Sequence, residues 1–200
     1  MKVPEGYESA LNVRETEVAI KEVKDFFERA LATNLNLTRV SAPLFVAPET
    51  GLNDDLNGVE RPVSFGIREQ NDRVVQIVHS LAKWKRHALK RYGFSVGEGL
   101  YTDMNAIRRD EDTDNIHSIF VDQWDWERII EKARRNEATL KEIVCKVYQS
   151  LEETEDYMSV KYSYIEKTLP QDITFVSTYE LEEKYPDKTP KEREYLAAKE

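Results

Sequence analysis

The sequence predicts an α+β fold, a mostly antiparallel sheet with helices before, between and after its strands. Three observations predict it. Apolar residues recur at helical spacing near both ends, two pairs of short β-branched and aromatic runs are joined by polar turns, and nothing alternates as βαβ units. At 200 residues, 40% hydrophobic and 10% aromatic, the chain is large and apolar enough for a real core, and it reads as a single domain over 1–200.

Between residues 15 and 33, Ala19, Val23, Phe26, Phe27, Ala30 and Leu31 share one face of an amphipathic helix. LNLTRVSAPLFV follows, where Val40, the break at Pro43 and Leu44-Phe45-Val46 suit a strand with a proline at an edge or interface. Pro48 to Pro62 is loop. VSFGI (63–67) and RVVQIVHS (73–80), parted by REQND, form a hairpin. Ser80 reads as the N-cap of a helix whose stripe is Leu81, Trp84, Ala88, Leu89 and Tyr92 and which ends at Gly93. GLYTDMNAIRR and HSIFVDQWD, joined by the acidic DEDTDNI, form a second antiparallel pair. From Asn136 a long helix keeps Leu140, Ile143, Val144, Val147, Tyr148 and Leu151 on one side. ITFV (173–176) is a short strand, and KTPKEREYLAAKE is a helix that begins after Pro190 and is still in progress at Glu200.

Charge and composition narrow the function. With 29 basic against 38 acidic residues the net charge is -9, which opposes binding driven by counterion release from a phosphate backbone, so nucleic acid is not the expected partner. Cys145 is the only cysteine; no internal disulfide is possible, and it reads as structural. MKVPEGYES has no apolar leader and no window approaches 18 apolar residues. A cytoplasmic chain with no membrane contact is expected, and the sequon at Asn36 is then chance.

Three stretches carry candidate chemistry. In HSIFVDQWDWE, taken as a strand, Gln123 and Asp125 share a face with His117, Ile119 and Val121, opposite Phe120, Trp124 and Trp126. An amide oxygen and a carboxylate two residues apart on a rigid strand suit an ammonium group, or simply reach solvent. In VHSLAKWKR, Lys83, Lys85 and Arg86 crowd a helix N-terminus against the macrodipole; an anionic ligand would reverse that cost, and a solvated charged face is the alternative. In RRDEDTDNIHSIF, Arg108 at a strand end suits bidentate phosphate contact, or pairs with Asp110 or Glu111. GLNDDLNG offers Asp54 and Asp55 on a turn, and His79, His87 and His117 show no metal-ligand spacing.

Together these stretches resemble the catalytic core of class II aminoacyl-tRNA synthetases. FFERALATNLNLTRVSAPLFV looks like that superfamily's first motif, at the dimer interface. Arg108 to Glu111, an acidic loop and His117 to Phe120 look like its second motif, whose arginine holds the ATP α-phosphate. FVDQWDWE resembles the strand that aspartyl-type members use beside the aminoacyl group. QIVHSLAKWKR, VGEGLYTDM, RRDEDTDNIHS and FVDQWDWE are similar to the ammonia-dependent asparagine synthetases, which are built on this core without a tRNA-binding domain.

The resemblance implies a class II synthetase-like antiparallel sheet flanked by helices, and aspartate and ATP giving β-aspartyl-AMP and pyrophosphate before ammonia releases asparagine and AMP. It implies that Asp54, Ser80, Lys85, Gln123 and Asp125 surround aspartate, with Lys85 on its α-carboxylate and Gln123 with Asp54 or Asp125 on its ammonium. Arg108, Glu111, His117 and Lys83 would then serve ATP, with Mg2+ on the phosphates and no protein metal site; Arg108 and Lys85 are the expected catalytic pair. A homodimer through the region around Pro43 is implied as well. The loop between Asp112 and His117 is short for the family, which would alter the cover over the adenine. The superfamily's third motif, with a second ATP-binding arginine, is absent, so a chain truncated at its C-terminal side, an incomplete sheet and an inactive fragment are expected. An aspartyl- or asparaginyl-tRNA synthetase core and a non-catalytic paralogue are the rival readings. Glutamine-dependent chemistry is disfavoured because it uses an N-terminal cysteine, and here Met1 is followed by Lys2.

Overall fold

The computed structural model describes residues 6–54, 56–114 and 117–199. They form two compact units, Met1–Lys167 and Thr168–Glu200.

The first unit opens with α1 (Val13–Leu35). Asn12 and Glu15 close a reciprocal capping box at its start, and Asn36 ends it in the left-handed conformation. The next segment departs from the sequence reading. The single strand expected across Pro43 is two strands in two sheets: β1 (Leu37–Arg39) pairs with β5 (Gly99–Ile107) in parallel, and β2 (Phe45–Val46) pairs with β4 (Arg73–Ile77) antiparallel. A proline between them has no amide N–H to offer a ladder, so the chain leaves one sheet and joins the other at that point.

The hairpin is β3 (Ser64–Ile67) with β4, and the second pair is β5 with β6 (Phe120–Arg128), in register from Gly99↔Arg128 to Ile107↔Phe120. The result is two three-stranded sheets, β1-β5-β6 and β2-β4-β3, rather than one mostly antiparallel sheet. Between β4 and β5 lies α2 (Ala82–Arg91). Its N-cap position is Leu81, not Ser80; Ser80 sits one residue earlier and its hydroxyl accepts from the Ala82 N–H at 3.2 Å.

The two faces of the β5-β6 ladder separate the packing. On one face Tyr101 donates to Glu28 of α1 at 2.7 Å, and Trp124 meets Phe27 with ring centres 5.2 Å apart. Burial first, and then the Glu28 hydrogen bond, raise the Tyr101 phenol above its ordinary pKa, which keeps it a donor. Phe120, of the same face, stands at the strand's start and is 56% exposed. On the other face Met104 and Ala106 join Val46, Val78 and Leu81 in one core cluster, with Val121 against it. This cluster ties the two sheets together.

Along α1 runs α3 (Glu137–Lys161), capped by Asn136. Phe26 stacks on Tyr157 at 4.4 Å, Asn34 donates to Ser150 at 3.0 Å, and Tyr162 donates to Glu22 at 2.8 Å. The buried residues of α3 are Thr139, Ser150, Thr154 and Met158. The apolar side from Leu140 to Leu151 is only partly buried, with Leu140 60% exposed. The reason is α1 itself, which presents Asn34 and Glu22 and therefore takes the helix face that carries hydroxyls.

In the second unit ITFV forms no strand; among the described residues no neighbouring segment supplies the ladder a strand requires. The unit holds α4 (Thr178–Lys184) and α5 (Pro190–Ala197), each with a reciprocal capping box, at Ser177/Glu180 and Thr189/Glu192. The last helix does not run on toward Glu200 but ends at Ala197, with Ala198 as its C-cap. Arg193 of α5 donates to the carbonyls of Tyr185 and Pro186 at 3.0 and 3.2 Å.

One glycine decides whether the β1-β5-β6 sheet closes. A Cβ at Gly99 would lie 2.5 Å from the Glu127 carbonyl oxygen and 2.6 Å from Leu37 Cδ2, inside both neighbouring strands. Gly99→Ala is expected to destabilise the first unit by about 1–3 kcal/mol, as overpacking does, read from urea unfolding; an unchanged midpoint would show that the sheet yields freely there.

Candidate active site

Two of the candidate residues, Lys85 and Asp125, meet where α2 crosses the face of β6. Asp125 pairs across the ladder with Thr102 and Gln123 with Met104, so both look toward α2. Lys85, projecting from the second turn of α2, donates to the Asp125 carboxylate and, at 3.0 Å, to the Trp126 carbonyl. Its side chain is 4% exposed and that of Asp125 is 19% exposed. A solvated lysine face is therefore not what the structure has at Lys85. Arg86 is the solvated one, resting its Nε on Glu127 at 3.2 Å. Gln123 stays exposed on the same face as Asp125.

A loop brings Asp54 to the start of α2. Asn53 fastens it: its Oδ1 accepts from the His79 N–H at 2.9 Å and from the Asp54 N–H at 3.0 Å, while its Nδ2 donates to Gln76 and to the Ile77 carbonyl. Lys83, expected with the ATP group, donates to the Asn53 carbonyl at 3.0 Å, at the root of the Asp54 loop. Asp55 lies outside the described residues. Asp54 and Lys83 thus meet at Asn53, where the loop reaches the end of β4 and the start of α2, while Lys85 of the same helix meets Asp125 in the middle of β6.

Arg108 follows β5 and is held by its backbone, donating to the Ile119 carbonyl at 2.8 Å and accepting from the Glu111 N–H at 3.1 Å. Its expected alternative partner is taken. Asp110 instead accepts from Arg61 three times, through the backbone N–H at 2.8 Å, Nε at 3.1 Å and Nη2. Among the described residues, Arg108 Nε is buried with no hydrogen-bond partner. A buried donor left unmade costs about 1–3 kcal/mol and calls for an explanation, which an anionic ligand would supply. His117 sits on the exposed loop, its backbone and Nδ1 both against Asp114 at 2.8 and 2.9 Å.

Arg61 and Asp110 fasten the aspartate-side loop to the segment after Arg108. The Arg61 side chain, hydrogen-bonded to the carboxylate, and then its backbone N–H hold the Asp110 carboxyl well below the usual carboxylate range. For a depressed carboxyl, the stabilising contact is present above the ordinary value and is lost only as pH falls through the depressed one. Carboxyl-carbon NMR should find Asp110 still ionised at a pH where exposed aspartates are protonated. Titration together with them would mean that the fastening is not made in solution.

One buried polar group escaped the sequence reading. His79, 1% exposed, has an Nε2 without a partner, and it shares with Arg108 Nε the distinction of being orphaned among the described side chains. Only its spacing from other histidines was weighed; the signal that marks it is its place between Val78 and Leu81, both buried. No three His, Cys, Asp or Glu side chains converge to hold a metal ion among the described residues, and no described helix is long and apolar enough to cross a membrane.

The family model described as aspartate–ammonia ligase matches residues 14–200. An aspartate–ammonia ligase of Clostridium perfringens is 66% identical over 198 residues, 99% of this chain and 59% of that protein. Those of Ruminiclostridium cellulolyticum and Fusobacterium nucleatum are 65% and 60% identical over 197 and 195 residues, each covering 98% of this chain and 59% of the relative. The chain thus spans about 59% of the length of the relatives it matches, and on these matches it belongs to the aspartate–ammonia ligase family.

Proposed function

We propose that the protein to which this chain belongs makes asparagine from aspartate, ammonia and ATP through a β-aspartyl-AMP intermediate. The observation that carries the reading is the buried pair of Lys85 and Asp125, a cation and an anion side by side between α2 and β6. A zwitterionic amino acid fits such a pair head to tail, its α-carboxylate on Lys85 and its ammonium on Asp125, Gln123 and Asp54. Arg108, with an unspent Nε, is assigned to the ATP α-phosphate, where it offsets charge as the adenylate forms. Glu111 and His117 lie along the same segment and are assigned to the nucleotide; Lys83 braces the aspartate loop.

The finer architecture belongs to the same proposal. The two small sheets are read as the N-terminal part of a class II synthetase-like antiparallel sheet, with residues 1–200 inside one catalytic domain. Magnesium would arrive on the ATP phosphates, since the described residues form no cage for it. Phe45 and Phe65, in edge contact at 5.1 Å and both partly exposed near Pro43, support a homodimer through that region. A cytoplasmic setting is consistent with the lone, exposed Cys145.

At the full length of its relatives, the protein is expected to form AMP from ATP only when aspartate and ammonium are both present. Equal AMP formation with glutamine in place of ammonium, or a requirement for tRNA, would replace this reading, the latter by a tRNA synthetase.

A further inference from the structure

Aspartate and ATP leave one reactant without a recognition group. Lys85 and Lys83 are the cations of the aspartate side, Arg108 is that of the phosphate side, and Asp125, Gln123 and Asp54 are the acceptors for the aspartate ammonium. At neutral pH ammonia arrives chiefly as ammonium, which needs an acceptor and must lose a proton before its nitrogen can attack. The place where that happens must be closed to water, or the acyl adenylate would hydrolyse.

His79 meets these requirements. It is 1% exposed, and its neighbour Val78 is fully buried in the cluster that joins the two sheets. Its backbone is fixed by Asn53 at 2.9 Å, the residue that also roots the Asp54 loop and receives Lys83. Ser80 follows it directly. The preceding Val78 N–H is held by the Leu44 carbonyl at 3.1 Å, and His79 Nε2 has no partner within the described protein. A buried nitrogen with nothing to bond is kept where a ligand or a water completes it. In its unprotonated form Nε2 offers a lone pair to an N–H donor, which is what ammonium presents.

We propose that His79 is the ammonia-side catalytic residue, its Nε2 accepting a proton from ammonium beside the aspartyl adenylate. This rests on the ligase reading above. One ammonium N–H bond breaks and its proton passes to Nε2, leaving the electron pair on nitrogen. That pair forms the C–N bond at the β-carboxyl carbon, and the C–O bond to AMP breaks with its pair on the phosphate oxygen. The new nitrogen then sheds a second proton to solvent, and imidazolium returns its own. Ammonium and β-aspartyl-AMP thus become asparagine, AMP and two protons.

The test compares two half-reactions in the protein at the full length of its relatives. ATP–pyrophosphate exchange with aspartate reports adenylate formation without ammonia; asparagine formation reports both steps. His79→Gln and His79→Phe are expected to lower ammonium-dependent amidation by about 100-fold or more, as loss of general-base help does, and to lower exchange by no more than about threefold. Hydroxylamine, largely unprotonated at neutral pH, should restore acyl transfer in both variants to within about tenfold of the unmodified protein. Equal losses in exchange and amidation would make His79 a packing or aspartate-binding residue. Unchanged amidation would show that Nε2 serves only a buried water, and failure of hydroxylamine to rescue would remove the proton transfer; each overturns the proposal. If the unmodified protein shows no aspartate-dependent exchange, the ligase reading itself falls. Should His79→Phe not fold, His79→Gln with hydroxylamine decides alone.

Discussion

Asp125→Ala is expected to cost the first unit about 3–5 kcal/mol, because it leaves the Lys85 ammonium buried without its counter-charge. Lys85→Ala should cost less, since Asp125 retains some access to water. The double change Lys85→Met with Asp125→Leu should recover most of the stability, as apolar replacements of buried pairs commonly do. Binding will not follow the same pattern. At full length the double variant should fold and yet bind aspartate no better than either single one, with each lost charge-assisted contact worth about 1.5–3 kcal/mol. ATP binding, assigned to Arg108 and its segment, should change little. Chemical unfolding and calorimetric titration with aspartate separate the two effects. If the double variant still binds aspartate normally, the pair holds the fold together and is not the receptor.

Much of this site was legible in the sequence as residue types, and little of it as contacts. Lys85 was readable because a cation early in a helix opposes the dipole, and Asp125 because a carboxylate stood on a strand face that should have been apolar. Their meeting was not readable, since it depends on how α2 crosses β6. His79 was missed for the converse reason. Its spacing from His87 and His117 marks no site, and only burial shows that its nitrogen lacks a partner among the described residues. In the fold, the elements whose signals are local came through: α1, both β pairs and the start of α3 at Asn136. The parallel union of β1 with β5 did not, because the pairing Leu37↔Gly99 is set by the Gly99 close approach and not by any pattern near Leu37. The face that α3 buries is not legible in its apolar side, because the residues opposite it on α1 are partly polar and hydroxyls at Ser150 and Thr154 go inward.

Residues 1–200 by themselves are expected to show no aspartate-dependent ATP–pyrophosphate exchange. The relatives are longer, this chain covering 59% of them, and the class II resemblance assigns a second ATP-binding arginine to a motif not found in these residues. With Arg108 alone, phosphate can be bound but not aligned for in-line attack, and positioning supplies most of the rate in such transfers. The same chain should also associate. In the β1-β5-β6 sheet, β6 is an edge strand of nine residues paired on one side only among the described residues. A long edge with free N–H and C=O groups is a template for another strand. Its side chains do little to prevent this, since Asp122 is neutralised by Lys24 and Asp125 by Lys85. Light scattering of the purified 200-residue chain should therefore report species larger than a monomer that grow with concentration. The idea fails if the chain is monodisperse as a monomer and catalyses the exchange, for then the sheet and the ATP site are complete within these residues.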